Sequence, residues 1–122
     1  MRKFAKTHEW YEDLGEGKVK IGISKHAAHE LSDVVFVELP DVGKKLADKQ
    51  SLCVLESVKA VADAYSPAGT VVEVNDKLKD QASLVTQDPE GAGWLAVVQM
   101  DDPKVLDGYL TESDYLKTIE AH

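Results

Sequence analysis

A lysine lying between two runs of strand-forming residues is the first place in this chain where a side chain could do chemistry. Leu52-Cys53-Val54-Leu55 leads into Glu56-Ser57-Val58-Lys59-Ala60, and a second short run ends at Tyr65 before Ser66-Pro67-Ala68-Gly69 closes the segment. If the runs pair as a hairpin, the Lys59 ammonium is held out at the tip, with Glu56 and Asp63 the nearest acids along the chain. Taken alone this is an ordinary surface lysine, because loops are polar in any case. Two other candidates fare worse. His26 and His29 stand three apart beside Glu30, a spacing at which two imidazoles on one helix face can converge on an ion, but no clear third and fourth ligand accompanies them, so no metal site is assigned. Cys53 could serve as a nucleophile, yet it lies inside an apolar run, where small thiols are usually inert, and no catalytic residue is assigned.

Composition narrows the classes. A chain of 122 residues is one domain's worth, residues 1–122, long enough to bury a core without metal or disulfide staples. The net charge of −8, with no basic cluster, argues against a nucleic-acid partner, which needs a basic footprint. One cysteine cannot form an internal disulfide, the N-terminus lacks an apolar run after its charges, and no stretch is long enough to span a bilayer. A soluble, cytoplasmic protein in a reducing setting is expected.

The elements that must position these residues are mostly strands. After a short basic start, Thr7-His8-Glu9-Trp10-Tyr11 suggests a strand or an anchored extended segment, and Glu12 to Gly17 reads as a turn. Val19, Ile21 and Ile23 alternate with Lys18, Lys20 and Gly22 as in a half-buried strand, and Ser24 can cap a helix over residues 25–31. The β-branched and aromatic run from Asp33 to Leu39, ended by Pro40, predicts a core strand, with Asp41-Val42-Gly43 turning before Lys44-Lys45. Val71 to Val74 and Trp94 to Met100 are further strands, and residues 77–93 read as a long, mostly polar connection. Asp102-Pro103 predicts a short capped helix that Gly108 can stop. Thr111-Glu112-Ser113-Asp114 resembles a capping box opening a terminal helix whose Tyr115, Leu116 and Ile119 can pack on the strands.

Read together, these residues resemble a known family. Glu56-Ser57-Val58-Lys59-Ala60 followed by Asp63 is similar to the lipoylation site of the glycine cleavage system H proteins. The resemblance extends through Thr7-His8-Glu9-Trp10, Gly22-Ile23, His26-Ala27, Asp33 to Gly43, Val72 to Asn75, Leu84-Val85 and Asp88 to Leu95, in the family's order and over nearly the whole chain. It implies a mainly β, lipoyl-domain-like barrel-sandwich hybrid with short flanking helices and a C-terminal helix. For Lys59 it implies covalently attached lipoate, an amide that removes the ammonium charge and makes the lysine a carrier rather than a catalyst. Glu56, Ser57, Val58 and Ala60 would frame the site, Glu56 helping the lipoate-attaching enzyme recognise it and Ser57 shaping the turn. The implied partners are a pyridoxal-phosphate glycine decarboxylase, an aminomethyltransferase and a dihydrolipoamide dehydrogenase. The aminomethyl-loaded arm would rest in a cleft lined by Thr7, Glu9 and Asp63, where water is excluded and the carboxylates can meet an ammonium.

Three positions depart from the family pattern. Ser32 stands where Gly is usual, Ser66-Pro67-Ala68-Gly69 is one residue short, and Thr86 replaces a common Asn. None touches Lys59, but they leave a second reading open: an H-like lipoate-binding protein carrying sulfur intermediates for a heterodisulfide reductase-like complex.

Overall fold

The computed structural model describes residues 2–120 and shows two antiparallel sheets laid against each other, with short helices at their margins. Strands β1 (Arg2–Phe4), β2 (Glu9–Gly15), β3 (Lys18–Ile23), β5 (Lys45–Leu46), β8 (Gly69–Val74), β9 (Ala96–Met100) and β10 (Leu110–Thr111) form the larger sheet, in the order β10-β1-β2-β3-β9-β8-β5. The smaller sheet orders β4 (Val34–Glu38), β6 (Gln50–Ser57) and β7 (Val61–Ser66) as β4-β6-β7. The sheets do not close into a continuous barrel, as expected of a barrel-sandwich hybrid.

The core lies between the sheets. Alternation places Val19, Ile21 and Ile23 of β3 inward against Val37, Leu55 and Ala64 of the small sheet, with Val71, Ala96 and Val98 completing the layer. A separate cluster covers the far side, where Phe4, Trp10 and Tyr115 pack together and the Phe4 and Tyr115 rings stack 4.7 Å apart. Trp10 is fully buried there, its indole N–H donating to Pro89 O at 2.9 Å and the Arg2 guanidinium lying 4.3 Å above its ring. A Cβ on Gly22 would meet the Trp10 ring at 2.5 Å, so the glycine on the opposing strand is what admits the indole.

Several elements differ from the sequence reading. Strand β2 does not stop at Tyr11 but runs to Gly15, and the turn shrinks to Glu16-Gly17. Both turn residues have positive φ, the twist that a two-residue hairpin needs, and a bulge between Asp13 and Gly15 absorbs Leu14. The connection at 77–93 is not simply a polar loop: it holds helices α2 (Lys77–Asp80) and α3 (Leu84–Gln87), each pinned by one buried residue, Leu78 and Val85. Asn75 closes this region by donating from Nδ2 to Ala92 O at 2.9 Å and Trp94 O at 2.8 Å. The expected helix after Asp102 is a 3₁₀ segment, Pro103–Gly108, capped by the Asp102 carboxylate accepting from the Lys104 N–H. In the terminal helix α4 (Glu112–Glu120), Thr111 Oγ1 accepts from the Asp114 N–H. Tyr115 and Ile119, four apart, pack inward, whereas Leu116 is half exposed on the other face. Among the described residues no helix is long and apolar enough to cross a membrane.

Helix α1 (Lys25–Leu31) begins as expected, with Ser24 Oγ accepting from the Ala27 N–H at 3.2 Å. Its end explains one departure noted above. Ser32 takes φ 65° and ψ −129°, a conformation that a side chain disfavours and glycine adopts freely, while its N–H donates to Ala28 O at 3.1 Å. Ser32→Gly should therefore stabilise the fold by about 1 kcal/mol, seen as a higher urea midpoint at unchanged slope; an equal or lower midpoint would show that the serine is not strained.

Candidate functional site

Lys59 stands in the turn between β6 and β7, and the turn is built by its neighbour two positions earlier. Ser57 N–H donates to Ala60 O at 2.8 Å, its hydroxyl accepts from the Ala60 N–H at 3.0 Å, and Ser57 Oγ lies 3.1 Å from Ala60 O. The side chain thus takes the N–H that a two-residue hairpin ordinarily gives to a main-chain carbonyl. Val58 N–H donates to Asp33 O at 3.3 Å, which ties the turn to the entrance of β4. Val58, Lys59 and Ala60 are exposed, and Glu56 faces solvent one pair below the turn, opposite Val61.

Beneath the tip the hairpin turns apolar. Leu55 pairs with Ala62, and both line an open-sided cavity of about 170 Å³ together with Ile23 of β3 and Ala27, Glu30 and Leu31 of α1. Ala27, Glu30 and Leu31 reach it together because residues three and four apart share a helix face. The polar end of the cavity carries Thr7, His8, Glu9 and Asp63. The sequence-derived trio Thr7, Glu9 and Asp63 therefore borders one space, whereas Glu56, Ser57, Val58 and Ala60 belong to the turn above it. A larger groove of about 700 Å³ lies on the other side of Thr7, among Phe4, Tyr11, Tyr65 and Tyr109, and includes neither Glu9 nor any residue of the turn.

Glu9 is the chemically unusual member. Only 1 % of it is exposed, and burial raises its carboxyl pKa above the ordinary value against the opposing effect of hydrogen bonds from Thr7 and Tyr11. Thr7 Oγ1 donates to Glu9 Oε1, which leaves the hydroxyl's lone pairs available to a donor in the cavity. The Tyr11 hydroxyl lies 2.9 Å from Tyr65 O and 3.3 Å from Glu9 Oε1, so one proton serves two acceptors. Burial, and then the charge of Glu9, push the Tyr11 pKa up and keep it a donor. Asp63, exposed on edge strand β7, accepts from Ser51 Oγ at 2.8 Å. Tyr11 was absent from the sequence-derived site, although its i+2 relation to Glu9 on a strand puts both on one face. Glu30, which the sequence places only beside His26 and His29, reaches this cavity because its helix face is set by where α1 packs.

The remaining candidates are accounted for. His26 Nε2 lies 3.2 Å from Glu30 Oε1, with its ring 4.8 Å from that of His8, while His29 is exposed. Among the described residues no group of three or more His, Cys, Asp or Glu is placed to hold a metal ion. Cys53 is buried, and burial, helped by Glu9, Asp63 and Glu38, pushes its thiol pKa up, away from the thiolate that nucleophilic attack requires.

The glycine cleavage H-protein family profile matches residues 2–122. The chain belongs to that family. It is 46 % identical to the glycine cleavage system H protein of Vibrio parahaemolyticus over 119 residues, covering 97 % of this chain and 94 % of that protein. The H protein of Idiomarina loihiensis is 47 % identical over 119 residues (97 % and 92 %), and that of Coprothermobacter proteolyticus 45 % over 118 (96 % and 93 %). The crystal structure of a glycine cleavage system H protein from Mycobacterium marinum superposes with a TM-score of 0.88 at 35 % identity, covering 98 % of this chain and 96 % of that one.

Burial of Glu9 makes a prediction about pH. A carboxyl whose folded pKa lies above its unfolded value holds its proton more tightly when folded; it favours the folded state at low pH and loses that advantage as the pH rises through the folded value. Glu9→Gln is thus expected to unfold at nearly the wild-type urea concentration below the ordinary carboxyl range, and at a progressively higher one as the pH climbs above it. Parallel wild-type and variant curves across both ranges would show that the carboxyl carries no such burden.

Proposed function

We propose that this chain is a lipoyl carrier of glycine cleavage, with lipoate amide-linked to Lys59, and that it has no catalytic residue of its own. The observation that carries this reading is the position of Lys59: the one amine of the small sheet, exposed at a turn fixed by Ser57, above a cavity that is apolar along its wall and acidic at its end. A lipoyl group bound there supplies a dithiolane that takes up and releases the one-carbon cargo of the cycle.

The chain's own residues do the rest. Ser57 fixes the direction in which Lys59 leaves the hairpin. From Lys59 to Ala62 is three residues, about 10 Å along a strand, so an arm folded back on the hairpin comes first to the wall made by Leu55, Ala62 and Leu31. Beyond it, Glu9 and Asp63 offer carboxylates to a primary ammonium and Thr7 a free lone pair. An ammonium entering there offsets the desolvation that Glu9 suffers alone, which gives the cavity a preference for a cationic cargo over a neutral one. Tethering itself raises the effective concentration of the cargo at each partner's active site. The partners in this reading are the lipoate-attaching enzyme, a pyridoxal-phosphate glycine decarboxylase, an aminomethyltransferase and a dihydrolipoamide dehydrogenase, in the cytoplasm.

The test begins with the intact mass of the protein purified from its own host, with the modified peptide mapped: a lipoyl-sized increase on Lys59 is expected. Lys59→Arg keeps the charge and the fold but should lose all carrier activity in a reconstituted glycine-cleavage assay, with an unchanged melting temperature. Carrier activity retained in Lys59→Arg, or an unmodified Lys59 in a lipoate-making host, would overturn the assignment.

A further inference from the structure

Strand β4 breaks the alternation expected of it. A bulge between Val34 and Phe36 inserts Val35 without a partner, so two consecutive apolar side chains face outward, Val35 at 59 % and Phe36 at 53 % exposure, while Val34 and Val37 keep their places in the core. The sequence reading had made this whole run a core strand; the bulge is why half of it is not. Phe36 pairs with Glu56, and Glu56 with Val61, which is 67 % exposed, so the three form a row across the outer face of the small sheet. One step further along is the turn, where Val58 is 80 % exposed and anchored to Asp33 at the start of β4. Four of the large exposed apolar residues therefore gather around Lys59. The others, Leu14, Val42, Val72 and Leu116, sit singly on separate elements, as scattered surface residues do.

Among the charges on the strands that carry this patch, acids dominate. Over residues 33–38 and 50–66 the acidic side chains are Asp33, Glu38, Glu56 and Asp63, all exposed, and the sole cation is Lys59 itself. Once Lys59 is acylated, the charges these strands and their turn carry are all acidic, with Lys77 and Lys79 entering only from helix α2, which packs on β4. A lysine reaches only the length of its four-carbon stem from the main chain, so an enzyme that acylates Lys59 must press its active-site mouth onto the surface that surrounds the turn.

We propose that the patch formed by Val35, Phe36, Val58 and Val61 is the docking surface for the enzyme that acylates Lys59, and that this enzyme meets it with an apolar mouth rimmed by basic side chains. The reaction served is attack of the neutral Lys59 amine on the carbonyl of an acyl adenylate. The C–N bond forms, the nucleoside monophosphate leaves with the electron pair of the broken C–O bond, and the amine's surplus proton passes to a base of the enzyme or to water. Apolar contact at the centre supplies the affinity, and the acidic rim supplies steering and orientation. The inference rests on Lys59 being the attachment site, but it concerns a different surface from the arm cavity: none of these four side chains lines that cavity.

The test is the rate at which the unmodified chain, produced in a host lacking lipoate, gains lipoyl mass when given a purified lipoate–protein ligase, ATP and lipoate. Phe36→Ser and Val61→Ser are each expected to raise KM for the chain about tenfold with kcat little changed, and added salt should raise the wild-type KM further. Val72→Ser, on the large sheet, should leave KM where it was. Because both patch residues are solvent-exposed, unchanged melting temperatures accompany the expected result, and Val61→Ser decides alone if Phe36→Ser melts early. Patch variants modified at wild-type KM, or a Val72→Ser variant impaired as much as they are, would overturn the docking surface while leaving the carrier assignment intact; a wild-type Lys59 that never gains lipoyl mass would overturn both.

Discussion

The pairing of Leu55 with Ala62 decides what is inside and outside the working part of this molecule. Side chains alternate along a strand, so a register that turns Leu55 and Ala62 toward the large sheet must turn Glu56 and Val61 away from it, and the next step out is the turn that presents Lys59. A slip of one residue would bury Glu56 and put Leu55 in water. Several devices hold the register: the bulge between Ser51 and Cys53, which sets the phase of the upper hairpin, the Ser57 hydroxyl, which closes the turn, and the Val58 link to Asp33, which fastens the tip to a third strand. The exposed lysine is thus the last consequence of a core constraint. Its freedom depends on residues beneath it that have none.

Much of this was legible in the sequence, and the parts that were not share a cause. Strict alternation at Val19, Ile21 and Ile23 gave a strand; Ser24 and Asp102 marked caps that the structure contains; and the runs on either side of Lys59 gave the hairpin. Misread elements turned on a single inserted residue or on burial that periodicity cannot reveal. Leu14 and Val35 are bulge residues, and a bulge leaves no mark in composition while changing which face every later side chain takes. Leu78 and Val85 lie in four-residue helices too short for an amphipathic pattern to register, so their segment looked like a polar loop. At the site, the strand spacing that joins Glu9 to Tyr11 could be read from the chain, but the approach of Glu30 and Asp63 to the same cavity depends on how α1 and β7 pack on β2 and β3, which is tertiary information.

Glu9 shows how the fold and the site place opposing demands on one residue. A carboxyl buried between the sheets weakens the folded state unless it is protonated or partnered, and the hydrogen bonds Glu9 receives from Thr7, Tyr11 and the main chain do not outweigh its desolvation. For stability alone an apolar residue would serve better there. That balance makes sense if a cation is delivered, since a site already carrying the desolvation of its carboxylate binds an ammonium without having to incur that cost on arrival. Thr7 and Tyr11 hold the carboxylate in place, and Asp63 lies at the exposed edge of the same cavity.

The same logic extends to the outer face of the small sheet, where three exposed valines and a phenylalanine gather around Lys59. A carrier has to be released as readily as it is recognised, and a small apolar centre within a repulsive or attractive rim allows both: the centre contributes modest affinity, while the rim, screened by salt and dependent on the partner's charge, chooses the partner and speeds its arrival. Acidic neighbours on β4, β6 and β7 also guard against the alternative use of such a face, association with another copy, because two surfaces carrying Asp33, Glu38, Glu56 and Asp63 repel when brought together. The edge strand β7 is protected in the same way, by Asp63 at its centre rather than by a covering strand. Charge on this sheet therefore does two jobs with one set of residues, selecting the basic partner and rejecting the identical one.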